Sequence, residues 1–477
     1  MPGEPFLYQS VERSVLGLVE SGALNPGDRL PSLRETSRRM GLSISTVSQA
    51  YMELEAKGVV ESRPRSGFFV RESFRRLPVP GRARVDLAAR AVNRNQLILT
   101  VLETVGNKNL LPYGVICPSD ELLPTRELAR TMARVCRERP ADALRYETIE
   151  GSLELRRQLA LRAPDAGYEV SPDGVLVTSG CLEALYIALR VLTRPGDTVL
   201  VQSPTYYCFL QLLERLGLRA VEIPSCPESG IDPRDVARAV DRFAVAACIF
   251  SPNYNNPDGS LTPDEAKEEI VALLAGRSIP LVEDDIASEL HFGPRRPLTF
   301  KAFDRDDNVV LCSSFSKTAA PGYRVGWMVP GGRMEQALEI KATTSVCTAS
   351  PGQLVLADFL GSGRYDRHLK RIRQAVERQM ATLRGQVGEC FPAGTRATDP
   401  SGGAVLWLEL PRGVDSVDYF FRARSEGIGI APGAIFTTRD GYSNYIRLSA
   451  GGVWNEDMRR GLVRLGEIAA EMTAQVR

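Results

Sequence analysis

Residues 9–21 set Val11, Val15, Leu18 and Val19 at the spacing of one helical face. A Pro26-Gly27 turn follows. Ser32, with Glu35 three positions on, makes a capping-box start for a second helix over LRETSRRMG, ending at Gly41. Ser43 or Ser45 can cap a third helix, in which Val47, Ala50, Tyr51 and Leu54 recur at i, i+3, i+4 and i+7. KGVVESRPRSGFFV then holds two short apolar runs separated by polar, turn-prone residues, the pattern of a two-stranded wing ending near Val70. Three helices and a wing predict an N-terminal winged helix-turn-helix over residues 1–71.

Residues 72–86, ESFRRLPVPGRARVD, show little periodicity and predict a basic linker that could also brush DNA. From about residue 87 the period changes. DGVLVTSG leads into LEALYIALRVL, DTVLVQSP into YYCFLQLLERLG, and AVAACIFSPN into a loop with proline and glycine; SIPLVEDD and NVVLCSSFS are two more strands with polar ends. Apolar strands separated by helical segments predict an α/β fold, a mostly parallel sheet covered on both faces. Ligand groups in such sheets gather at the carboxyl ends of strands. GGAVLWLEL and NYIRLSAGG, between helices, predict a smaller α+β lobe mainly over about 365–477 within a domain of 87–477.

A chain of 477 residues exceeds what one core serves, in keeping with this division. Net charge is +1, so only local imbalance informs about partners. Between Arg29 and Arg76 there are ten basic residues against five acidic. A helix-turn-helix lays its second helix in the major groove, which makes Ser43, Ser45, Thr46, Ser48 and Gln49 candidates for base or phosphate contacts with double-stranded DNA. Arg34, Arg38, Arg63 and Arg65 would anchor phosphates. A packing or protein-interaction module with solvated arginines fits the same pattern. Nine cysteines without a CxxC pair fit free thiols in a reducing compartment, and two histidines argue against a histidine metal site, so no metal is expected. There is no signal-peptide pattern and no run of 18 uncharged apolar residues, which predicts a cytoplasmic protein without a membrane partner.

Four polar strand ends can be collected: Ser179-Gly180, Asn256 in NNPDG, Asp284 in VEDD, and Ser314 with Lys317. A lysine near an aspartate, serines, an asparagine and Arg324 suits a polyanionic cofactor whose aldehyde the lysine captures. A Schiff-base lysine with an aspartate on a pyridine nitrogen is what pyridoxal 5'-phosphate (PLP) requires. Taken singly, each residue is equally well explained as a solvated strand end.

The order and spacing of these motifs resemble fold-type I PLP enzymes of the class I/II aminotransferase superfamily. The first 70 residues resemble the GntR-type winged helix. Together they resemble the MocR subfamily of bacterial transcription regulators, over nearly the whole chain. The resemblance implies that Lys317, in SFSK, forms the internal aldimine and that Asp284 keeps the pyridinium nitrogen protonated. It implies that Asn256 donates to the phenolic oxygen, that Tyr206, in SPTYY, stacks on the ring, and that the backbone of Gly180, Cys181 and Leu182 receives the phosphate with Ser314 and Arg324. Tyr146, in RYETIEG, would reach the phosphate from the neighbouring subunit of a homodimer. Arg447, in NYIRLS, would grip the α-carboxylate of an amino acid or related amine ligand. Its bland alternative is a surface arginine on a strand. Gly114, in PYGVICPS, is a weaker candidate for the substrate side.

Two departures stand out. Ala287 occupies the place of a tyrosine that gives the phenolic oxygen a second hydrogen bond, which weakens the tuning for proton transfer. Ser43-Ile44 stands where recognition helices often begin Ser-Arg, and Arg38 or Arg39 could supply the missing contact. The resemblance therefore implies a DNA-binding regulator that senses PLP, or PLP with an amino acid. A working aminotransferase with an auxiliary N-terminal domain is the alternative. A scaffold that has lost its ligand is disfavoured by the retained lysine, aspartate and arginine.

Overall fold

Helix α1 (Leu7–Glu20) buries Val11 and Val15 against α3 (Ile44–Ala56), which contributes Val47, Ala50, Tyr51 and Leu54 to the same small core. It begins two residues earlier than its apolar spacing suggests, because Tyr8 also packs on that core. In α2 (Leu33–Met40), Ser32 Oγ accepts the Glu35 N–H at 3.2 Å, and Gly41 closes the helix at φ 66°, a left-handed conformation open to a residue without Cβ. Ser43 rather than Ser45 caps α3, its Oγ accepting the Thr46 N–H at 3.1 Å. Strands β1 (Val60–Arg63) and β2 (Gly67–Val70) pair antiparallel as the wing, with Val60 opposite Val70. The computed structural model describes residues 7–63, 66–71, 77–83, 85–91, 95–104, 106–107 and 109–475. Arg65 and residues 72–76 and 84 of the expected linker lie outside these.

Among the described residues the large domain is built on a nine-stranded sheet. Its strands are β3 (Arg90–Ala91), β4 (Leu176–Thr178), β5 (Thr198–Ser203), β6 (Arg219–Cys226), β7 (Gly230–Ile231), β8 (Val245–Phe250), β9 (Leu281–Asp284), β10 (Val309–Ser314) and β11 (Gly326–Val329). The order is β3-β6-β5-β8-β9-β10-β11-β4, with β7 paired to β6. The run β6-β5-β8-β9-β10 is parallel, and β11 runs antiparallel between β10 and β4. Alternate residues face opposite layers. Val199 and Val201 pack with the helix Cys181–Leu192, while Leu200 packs with the helices Pro233–Arg242 and Asp264–Ala275. Both faces are covered, so the strands read as continuous apolar runs rather than as an alternation.

The smaller lobe carries β12 (Arg396–Ala397), β13 (Val405–Glu409), β14 (Ala431–Pro432) and β15 (Tyr445–Ser449), ordered β12-β13-β15-β14 and antiparallel. The helices Ser416–Ser425 and Glu456–Gln475 and the long helix Arg364–Cys390 supply its cover. Its core extends beyond residues 365–477, because Leu77, Ile98, Val101 and Tyr113 are buried in it. The chain arriving from the winged helix thus closes this lobe. Pro78 O accepts the Ala397 N–H at 3.0 Å, and Arg82 pairs with the buried Asp235. The described linker residues from Leu77 onward are therefore anchored to the domain. Among the described residues no helix is long and apolar enough to cross a membrane.

Candidate cofactor and DNA-reading sites

β9 and β10 run side by side in parallel with Asp284 opposite Cys312. Their carboxyl ends therefore bring Asp284 and the turn from Ser314 to Lys317 to one edge of the sheet. Lys317 Nζ donates to Ile116 O at 2.5 Å. Burial lowers its pKa, opposed by Cys117, Cys208 and Asp284, while Arg447 adds to the lowering. A lowered pKa favours the neutral amine, the nucleophilic form. Burial pushes the Asp284 carboxyl up to about 6, while the Cys181 thiol, 3.4 Å from Oδ1, and the Ile286 N–H at 3.2 Å favour its charged form. The adjacent Asp285 is committed elsewhere, to Arg296 and the Ser288 hydroxyl.

The helix Cys181–Leu192 starts at the same edge. Gly180 precedes it at φ 90°, and a Cβ there would collide with the Arg324 guanidinium. Arg324 itself is left-handed at φ 54°, a strained state for a residue with a side chain. Its NH2 donates to Ser179 O at 3.2 Å, and NH1 lies 3.5 Å from Ser316 Oγ. The buried Ser314 hydroxyl accepts the Ser316 N–H at 3.3 Å. The helix start at Gly180 and the Arg324 guanidinium lie together, with Ser316 linking Arg324 to the Ser314 hydroxyl, and such donors suit a phosphate.

Arg447 is fully buried on β15 rather than at the surface. One terminal nitrogen donates to Asn256 Oδ1 at 3.3 Å, the other to Gly114 O, and the guanidinium lies 5.6 Å from the Phe436 ring. Its Nε has no hydrogen-bond partner, and no carboxylate pairs with it among the described residues. An uncompensated buried cation is costly, which makes the site receptive to a ligand carboxylate. Gly114 lies there for lack of space: a Cβ would come 2.9 Å from Ile430 O. Tyr206 lies beside Tyr207, ring centroids 4.8 Å apart, in the same neighbourhood as Asp284.

Sequence reasoning missed Tyr207, which lies beside Arg447, and the Cys181 thiol on Asp284. The tyrosine doublet at a helix start could have signalled the first. Ile116 acts through its carbonyl and leaves no side-chain trace. Tyr146, by contrast, is 85% exposed and is not brought to the site within one chain. Ala287, beside the turn Ser288–Leu290, contributes no side-chain donor.

In the winged helix Arg34, Arg38, Ser45 and Gln49 are exposed, and Thr46 and Ser48 half-buried. Ser43 is also exposed, and its hydroxyl caps α3, within 2.8 Å of both the Ser45 and Thr46 hydroxyls. Arg63 is held on the wing by Glu61 at 2.7 Å and by the Phe69 ring at 4.5 Å.

Residues 117–465 match the family pattern of aminotransferase class I and II, and residues 7–70 that of bacterial regulatory proteins, gntR family. The uncharacterised HTH-type transcriptional regulator YdcR of Escherichia coli is 36% identical over 97% of this chain and 99% of its own. This chain belongs to the MocR-type regulators. Over the aminotransferase part it is also similar to the 2-aminoadipate transaminase of Thermus thermophilus, at 29% identity over 80% of this chain and 95% of that one. The structure of LysN, the α-aminoadipate aminotransferase of that organism, complexed with N-(5'-phosphopyridoxyl)-L-leucine, superposes with a TM-score of 0.74 over 79% of this MocR-type chain and 95% of LysN, at 29% identity.

Proposed function

We propose that this MocR-type chain is a DNA-binding transcription regulator that holds PLP at Lys317 and responds to PLP together with an amino acid or related amine. The observation that carries the proposal is one chain uniting an exposed winged helix with a buried lysine, aspartate and unpaired arginine around a phosphate cradle. PLP, when bound, supplies an aldehyde for a primary amine and a ring that draws electrons from the carbon bearing that amine. Asp284 would hold the ring nitrogen, Asn256 the phenolic oxygen, and Tyr206 would lie on the ring face. Ser314, Arg324 and the N–H groups of Gly180, Cys181 and Leu182 would hold the phosphate. Arg447 would orient the ligand carboxylate, with Gly114 and Tyr207 steadying the guanidinium. Leu144 and Tyr146, 88% and 85% exposed, support a homodimer in which Tyr146 serves the partner's site. Domains at 1–71 and 87–477 and a cytoplasmic setting complete the proposal.

Retention of Lys317 and Arg447 favours a second possibility, an active aminotransferase. Ala287 counts against brisk turnover. Visible absorption of the PLP-loaded protein during titration with L- and D-amino acids separates the two. Stoichiometric keto acid with pyridoxamine phosphate would establish transamination, whereas a spectral shift without keto acid supports a sensor. Failure to retard DNA from the chain's own upstream region at low salt, with and without PLP, would sink the regulator.

A further inference from the structure

The winged helix rests on the long helix Arg364–Cys390 through charged and polar groups. Lys57, just past α3, lies between Glu12 of α1 at 2.8 Å and Glu377 at 3.2 Å. Arg378 grips Glu53 of α3, Nε to Oε2 at 2.9 Å, and Thr382 donates to Ala56 O at 3.3 Å. Arg71, just past the wing, reaches Glu389 at 3.5 Å.

This seat takes the last turn of α3, whereas the groove-facing candidates Ser45, Thr46, Ser48 and Gln49 occupy its first two turns. Docking and DNA contact are therefore compatible, and the seat sets how the module is presented. Ionic contacts also suit a joint that must shift. A charged interface of this kind resembles the polar contacts between domains that move relative to one another.

The other half of the same long helix touches the segments that carry the cofactor residues. Thr318, directly after Lys317, meets two of its side chains: Tyr365 OH lies 2.8 Å from Thr318 Oγ1, and His368 Nε2 2.6 Å from Thr318 O. Arg373 Nε donates at 2.6 Å to the carbonyl of Glu289, five residues past Asp284. At 1.5 Å of rise per residue, His368 and Arg378 are separated by about 15 Å along one uninterrupted helix. A helix is stiff over that length. A small displacement of the Thr318 or Glu289 segment therefore appears at its far half as a shift of the seat.

We propose that the long helix is the coupling rod of this regulator, and that the Arg378–Glu53 and Lys57–Glu377 pairs are the joint through which occupancy at Lys317 reorients the winged helix. This rests on the regulator function proposed above. The test uses full-length wild type, Glu53→Arg, Arg378→Glu and the charge swap carrying both. Each is titrated onto a duplex from the chain's own upstream region, as apo-protein, with PLP, and with PLP plus each L-amino acid.

The wild type is expected to change its DNA affinity severalfold with at least one of these additions. In each single variant that ratio should collapse to about one, while apo-protein affinity stays within a few-fold and the PLP absorption band is retained. The swap should restore the wild-type ratio. Single variants that keep the full ratio overturn the joint, as does a swap that fails to restore it. A wild type that binds DNA but never responds overturns ligand sensing and the coupling with it, and one that does not bind DNA overturns the regulator function itself.

Discussion

The proposed cofactor edge and the proposed DNA-reading face solve opposite problems. At the first, Lys317, Asp284 and Arg447 are taken out of water, and burial moves the pKa of each toward its neutral form. At the second, Arg34, Arg38, Ser45 and Gln49 stay in solvent. An unpaired buried charge is costly, so the fold fixes the first set with hydrogen bonds to and from neighbouring groups. The exposed set is carried by α2 and α3 on their solvent side, so partner and salt decide what it contributes.

The sharpest way to break this contrast is Lys317→Ala. Borohydride treatment of PLP-loaded protein should then fix no cofactor to the chain, read by mass spectrometry, while circular dichroism stays native. Arg447→Lys keeps the charge but loses the planar fork. Amino-acid affinity, followed by the visible spectrum, should fall about a hundredfold, as expected for loss of a charge-assisted pair worth about 2–3 kcal/mol.

Asp284 tests the burial argument from the side of stability. Its folded pKa of about 6 stands above the ~4 of a free aspartate, so between those values the folded apo-protein retains a proton that the unfolded chain has lost. Its contribution to stability therefore falls as pH rises from about 4 to 6. Asp284→Asn should remove that penalty and raise apo-protein stability above pH 6 by roughly 2–3 kcal/mol in urea unfolding, while weakening PLP binding. Equal urea midpoints at pH 7.5 would falsify the burial account. The smallest effect belongs to the exposed face: Arg38→Ala should weaken DNA binding a few-fold and reduce the salt slope by about 1.

The same contrast governs how much was legible in the sequence. Helix periods, caps and apolar strands carried both domains, because local spacing and burial demand the same residues. The polar strand ends around Lys317 were legible because a buried site needs chemically specific residue types. Ile116 was not, since a carbonyl has no residue type, and neither was the Cys181 thiol, which looks like any core cysteine until Asp284 is beside it. On the reading face Ser43 and Ser45 were interchangeable as capping candidates, and only geometry separated the cap from its neighbour. The anchoring of Leu77 was hidden by the prolines and arginines around it, which look like solvent-exposed tether.

That anchor has a kinetic consequence. Arg71 sits at the seat and Leu77 inside the small-lobe core, so the intervening chain spans at most about 20 Å when fully extended. On so short a leash the winged helix meets the long helix at an effective concentration on the order of millimolar. Part-buried ion pairs still open to solvent on one side, worth on the order of 1 kcal/mol apiece, could not hold two separate molecules together. Here they need only bias a partner that never leaves, which keeps the contact populated yet quick to release.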